Sequence, residues 1–175
     1  MTAMSAGTVY WITGLAGAGK STVGRELAGM LKARGRSVAF LDGDSLREAF
    51  GNDLGHSREE RLQSAMRNAR LCKLLAEQGI DAVCATISLF AECHRWNREN
   101  LQHYVEIYLR APMEVLNQRD QKGLYSGAQA GRTEGVVGVD MQFDEPREAH
   151  VVIDNDGSQT PSQVAERIFK SVFRE

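Results

Sequence analysis

Gly14-Leu15-Ala16-Gly17-Ala18-Gly19-Lys20-Ser21 follows directly on a β-like run, Thr8-Val9-Tyr10-Trp11-Ile12, and leads into a helical pattern. Strand, glycine loop, Lys-Ser and helix, in that order, make a phosphate loop of the form G-x-x-x-x-G-K-[ST]. Glycines at 14, 17 and 19 let the backbone curl until successive N–H groups face one anion, and the following helix adds the positive end of its dipole. In such a loop Lys20 reaches the β- and γ-phosphates of a nucleoside triphosphate and the Ser21 hydroxyl ligates Mg²⁺. Ala16, Ala18 and Thr22 complete the expected cradle.

The rest of the chain repeats the same alternation. Val23, Leu27, Met30 and Leu31 have helical spacing over 21–34, closed by Gly35, and 37–41 reads as a second strand ending at Asp42-Gly43-Asp44. A long helix is expected over 58–78, with Leu62, Ala65, Met66, Ala69, Cys72 and Ala76 on one stripe. Ser57 is its expected N-cap, Glu60 its capping-box partner and Gly79 its stop. Residues 80–87 form an apolar run of the kind buried on both faces of a parallel sheet, with Ser88 at its far end. A helix over 91–101, a strand over 104–109, a short helix opened by Pro112, a strand over 150–153 and a helix over 161–173 complete the series. Residues 119–140 break it: they hold five glycines, show no period and read as a lid. The pattern predicts a single domain over 1–175, three-layer α/β, with a parallel sheet of about five strands, helices on both faces and ligands at the carboxyl ends of the strands.

Composition narrows the function classes. A net charge of −2 offers no general attraction to nucleic acid or to an acidic membrane surface, so anion binding must come from local clusters. No apolar run approaches the roughly 20 residues of a membrane span, and Met1-Thr2-Ala3-Met4-Ser5 lacks the start of a targeting signal. These features point to the cytoplasm. Cys72, Cys84 and Cys93 lack paired spacing, so core roles are expected rather than a disulfide framework or a zinc site.

A phosphoryl transferase needs a triphosphate cradle, a metal, a carboxylate near the attacking hydroxyl, positive groups for the migrating charge, and a cover. Asp42 and Asp44 close the second strand, where one can serve Mg²⁺ and the other can take the proton; which does which the spacing leaves open. Arg47 lies three residues beyond Asp44. Arg61 and Asn68, seven apart, share a face of the long helix, for which a solvated face is the ordinary explanation.

Taken together, Gly14–Ser21, Leu41-Asp42-Gly43-Asp44 with Arg47, Asp53-Leu54-Gly55, Arg61, Ile87-Ser88, Arg119-Asp120, Lys122-Gly123-Leu124-Tyr125, Ala130-Gly131, Gly138-x-Asp140 and Pro146 resemble the adenylylsulfate kinases in order and spacing, over most of the chain. The resemblance implies a P-loop NTPase fold and transfer of the γ-phosphoryl of ATP to the 3′-hydroxyl of a nucleotide with a substituted 5′-phosphate. It implies Asp44 as general base and makes Ser21 and Asp42 the metal candidates, while leaving open which of Asp42 and Asp44 stands nearer Mg²⁺. Arg47 and Arg61 would lie on the acceptor nucleotide's charged 5′ group, and Arg119 near the ATP base. His56, Ser64, Ile87, Ser88, Lys122 and Val136 would line the acceptor side. Ser88 matches a serine described in some members as a phosphorylated intermediate; direct transfer is simpler and leaves it a lining residue. Many members are dimers, so a homodimer is an expected assembly.

The chain departs from the family on the acceptor side. Two phenylalanines that sandwich the acceptor adenine in adenylylsulfate kinases are His56 and Val136 here, the family's Asn on the long helix is Ser64, and the Pro after the strand serine is Leu89. Each lost ring face removes about 1–3 kcal/mol of stacking. These changes favour a different acceptor nucleotide, with cytidine diphosphoramidate as a candidate; ordinary adenylylsulfate kinase is the alternative. A regulatory protein that binds ATP without turnover is a third reading, opposed by the retained Asp pair and Arg pair.

Overall fold

The computed structural model describes residues 5–174, so nearly all of the N-terminal segment read above for targeting signals lies outside the described residues. Five strands form one parallel sheet in the order β2-β3-β1-β4-β5: β1 (Val9–Thr13), β2 (Val38–Asp42), β3 (Asp81–Ala85), β4 (Tyr104–Arg110) and β5 (Val151–Asp154). The expected alternation and parallel sheet are therefore present. Side chains that alternate along β1 divide between two cores, as the pleat requires. Tyr10 and Ile12 join Val83 and Ala85 beneath α1 (Lys20–Ala33) and α7 (Pro161–Phe173). Val9 and Trp11 join Ala82 and Cys84 beneath α3 (Arg58–Glu77) and α4 (Ala91–Asn100). Helix, sheet and helix make the three layers.

The remaining helices are α2 (Gly43–Ala49), α5 (Met113–Arg119) and α6 (Leu124–Gln129). The capping box on α3 forms as expected: Ser57 accepts from the Glu60 amide, and the Glu60 carboxylate accepts from the Ser57 amide. Cys72, Cys84 and Cys93 are all buried, the small-core role their spacing predicts. Among the described residues no helix is long and apolar enough to cross a membrane.

Two expectations change. The apolar run 80–87 pairs only over Asp81–Ala85, because β2, its edge-side partner, ends opposite Ala85 at Asp42 and both chains then turn into the site. Residues 119–140 are not structureless: a 3-10 turn at Gln121–Gly123 precedes α6, and Val137 bridges Met141. The winding has a tertiary cause, since Tyr125 of α6 is buried and its hydroxyl donates to the Ala16 carbonyl at 2.6 Å.

Candidate active site

The carboxyl ends of β1, β2 and β3 and the amino ends of α1 and α3 open onto one cavity of about 730 Å³. Its floor is the phosphate loop. At Gly14 an added Cβ would collide with the Leu109 carbonyl of β4, and at Gly19, held at φ 95°, it would meet Asn155 Nδ2 at 2.8 Å. Side chains at either position would force the loop off the sheet.

Lys20 is buried at 8% exposure, and its ammonium donates to the Leu15 carbonyl at 2.8 Å. Burial lowers its pKa to about 8, against the opposing pull of the Asp42 and Asp44 carboxylates. Phosphate oxygens would stabilise the ammonium and raise that value, so binding above pH 8 must draw in a proton. ATP affinity is expected to hold steady from pH 6.5 to 7.5 and to weaken above 8, by at most about tenfold per pH unit. Calorimetry at pH 8.5 in buffers of different ionisation enthalpy should report net proton uptake; its absence would contradict this protonation state.

Ser21 donates its hydroxyl proton to Asp42 Oδ1, while Asp42 Oδ2 caps α2 by accepting from the Ser45 amide. A hydroxyl and a carboxylate already in contact at the phosphate end are hard oxygen donors of the kind Mg²⁺ prefers, so this pair could hold such an ion. Asp44 stands two residues further on, in the first turn of α2, largely exposed, with Oδ2 at 2.6 Å from Lys122 Nζ. An exposed pair of this kind contributes little to stability, so the carboxylate can exchange Lys122 for an acceptor hydroxyl at small cost.

Across the cavity, Arg47 and Arg61 hold the chain around the site. Arg47 donates to Leu54 O at 2.6 Å, and Arg61 donates to His56 O at 3.0 Å and to Gly135 O in the 119–140 segment at 2.7 Å. Burial, with the Arg47 charge second, pushes the Arg61 pKa down against the opposing pull of the Asp140 carboxylate. Burial and the same two arginines lower the His56 pKa, leaving its imidazole neutral at neutral pH. Ser88 is buried; its Oγ accepts from the Thr86 hydroxyl at 2.8 Å, and its carbonyl lies 2.7 Å from His94 Nε2.

The residues singled out from the sequence divide three ways. Ala16, Gly17, Gly19, Lys20, Ser21, Thr22, Asp42, Asp44, Arg47, His56, Arg61, Ser64, Ile87, Ser88, Arg119 and Lys122 all line the cavity. Gly14 and Ala18 lie behind it as scaffold; the Ala18 amide is spent on Leu15 O at 3.1 Å. Val136 is brought elsewhere: it is 5% exposed, belongs to the same apolar core as Leu15 and Val137, and its amide donates to Asp140. A ring at this position would enter filled space. Val136→Phe is therefore expected to destabilise the fold by about 1–3 kcal/mol, read by denaturant unfolding, instead of opening a stacking face for adenine.

Other lining residues escaped the sequence reading. Asn155, just past β5, donates to Ala18 O at 2.8 Å; Gly157 and Gln159 follow it in the lining, Gly157 next to the Arg119 guanidinium, which donates to Gly17 O at 2.7 Å. Their signal was position, since β5 ends on the same edge of the sheet as the phosphate loop. Asn68 also faces the cavity at 4% exposure, so the solvated face expected for it is not what the fold provides.

A phosphate loop with a buried lysine, a hydroxyl–carboxylate pair beside it, and a further carboxylate and paired arginines lining the same cavity define a P-loop kinase. The chain matches the adenylylsulphate kinase family over residues 6–154 and belongs to it. It is 42% identical over 164 residues to a cytidine diphosphoramidate kinase of Campylobacter jejuni, covering 94% of this chain and 95% of that protein. It is 35% identical over 164 residues to an adenylyl-sulfate kinase of Halothermothrix orenii, covering 94% and 88% respectively. The Mycobacterium tuberculosis APS kinase in complex with AMPPNP and APS superposes with a TM-score of 0.88 at 28% identity, over 96% of this chain and 98% of that one. The protein is an ATP-dependent kinase of the adenylylsulfate kinase type.

Proposed function

We propose that this kinase transfers the γ-phosphoryl of ATP to the ribose 3′-hydroxyl of a nucleotide with a substituted 5′-phosphate, and that the acceptor is a pyrimidine conjugate such as cytidine diphosphoramidate. The observation that carries this reading is the acceptor half of the cavity. His56 offers one ring there and Val136 is turned away into the core, so the pair of rings that would clamp an adenine is missing. One neutral imidazole face suits a smaller base. The identity of 42% to a cytidine diphosphoramidate kinase, against 35% to an adenylyl-sulfate kinase over the same length, supports the same assignment.

In the proposed reaction Arg47 and Arg61 hold the charged 5′ group, and Asp44 takes the proton as the 3′-oxygen attacks phosphorus in line. The bond from phosphorus to the β,γ-bridging oxygen breaks and its electron pair leaves with ADP. Lys20 neutralises charge on the β- and γ-oxygens, and the 119–140 segment, tied down through Lys122, Tyr125 and Gly135, excludes water. Ser21 and Asp42 would hold Mg²⁺, which supplies further charge neutralisation at the phosphates. Residues 1–175 act as one kinase domain in this reading.

Comparing kcat/KM for ATP-dependent phosphorylation of adenylylsulfate and of cytidine and uridine 5′-conjugates tests the assignment. A cytidine conjugate should lead adenylylsulfate by about tenfold or more. The reverse order would make the protein an ordinary adenylylsulfate kinase, in which His56 alone suffices for adenine.

A further inference from the structure

We infer that the Asn68 carboxamide is a specificity-determining contact that takes a hydrogen bond from an N–H group of the acceptor nucleotide. The inference rests on the cavity being the acceptor site. Asn68 is 4% exposed and lines the cavity, yet its Oδ1 has no hydrogen-bond partner. A buried amide oxygen without a partner is costly, and native interiors rarely keep one without a use. Ala65 and Phe90, which line the same cavity, offer no side-chain donor, and the hydroxyl proton of Thr86 in that lining is committed to Ser88 Oγ.

Asn68 stands seven residues along α3 from Arg61, two turns and about 10 Å deeper on the same helix. A nucleotide whose charged 5′ group is gripped by Arg47 and Arg61 therefore has another part within reach of the amide. A carboxamide oxygen only accepts hydrogen bonds. It would face a sulfate or phosphate oxygen lone pair to lone pair, whereas an N–H completes it. In a cytidine or adenosine conjugate two groups carry such a donor: the exocyclic amine of the base, and a terminal amide on the 5′-phosphate chain. Both present the same chemistry to Oδ1.

Four acceptor nucleotides separate the two sources: cytidine diphosphoramidate carries both donors and cytidine diphosphate only the base amine, while on pyrimidin-2-one riboside, whose base has neither the 4-amine nor an N3–H, the diphosphoramidate carries only the terminal amide and the diphosphate neither. The full chain and Asn68→Leu are assayed on each by kcat/KM, with the Kd for ATP and the Tm measured alongside. The wild type should favour one donor-bearing partner over its matched analogue by about tenfold or more. In Asn68→Leu that one ratio should fall to within threefold, and which ratio falls identifies the donor. ATP affinity should stay within threefold, and Tm should rise by roughly 2–4 °C, because the unpartnered oxygen is gone. Asn68→Ala, which only removes atoms, reads the same ratios if leucine does not fit.

Retention of both ratios in the variants would overturn the inference, as would a wild type that turns over all four without preference; the kinase assignment survives either result. Selective loss of the oxygen-ended acceptors would also overturn it, since the amide would then be donating. Absence of turnover on these four and on adenylylsulfate would overturn the acceptor reading and the inference together.

Discussion

Lys20→Ala should lower kcat/KM by about 10³-fold or more, with weaker ATP binding and an unchanged far-UV circular dichroism spectrum. The size of the effect follows from where the ammonium sits. It is buried inside the phosphate loop, held by a single backbone carbonyl 2.8 Å away, and desolvated enough for its pKa to fall to about 8. A cation kept in such a place costs the fold free energy that phosphate oxygens would return on binding, and charge stabilisation in a water-poor site is worth more than on a surface. Removing one preorganised donor of this kind costs about 10²–10³-fold in the chemical step, before any loss of ATP affinity is added. Steady-state kinetics with ATP titrations would measure both parts. A variant within tenfold of wild type would mean that the loop amides alone carry the phosphates.

Asp44→Asn should leave ATP affinity within threefold and cut kcat by about 10²-fold or more, the usual scale of general-base catalysis. The amide keeps the shape of the carboxylate but cannot take a proton. Asp44 touches Lys122, so a loss of activity could in principle come from breaking that ion pair. Lys122→Met breaks the same pair and keeps the carboxylate. If Asp44 is the base, Asp44→Asn falls much further than Lys122→Met in single-turnover experiments. Equal losses would assign the effect to closure of the 119–140 segment and remove Asp44 from the chemistry.

Local rules made much of this architecture legible. The Ser57–Glu60 box, Gly35 and Gly79 mark helix ends by short-range stereochemistry, and α7 occupies the 161–173 span its period predicts. The glycine loop after β1 likewise carries its own geometry. Polar residues inside apolar strands were harder to read. Glu106 of β4 is fully buried and met by Arg98 and Tyr104, and Asp81 at the start of β3 is paired with Arg36 and with the Thr8 amide at 2.8 Å. No local pattern announces such pairs: Asp81 meets Arg36 and Thr8 from 45 and 73 residues away, and Glu106 is met by Arg98 only because α4 packs back along β4. The 119–140 segment failed for the same reason: its glycines were visible, but the burial of Tyr125 against Ala16 that winds α6 was not.

By itself the amino-acid sequence determined the parallel three-layer fold, the phosphate loop and the strand-end carboxylates. Those depend on period, turn chemistry and spacing, all of which act over a few residues. Only the tertiary structure decided that Asn68 and Asn155 face the cavity and that Val136 does not. Period places a side chain on a face of its helix or strand, but whether that face meets solvent, core or a ligand cavity is set by which distant elements pack against it.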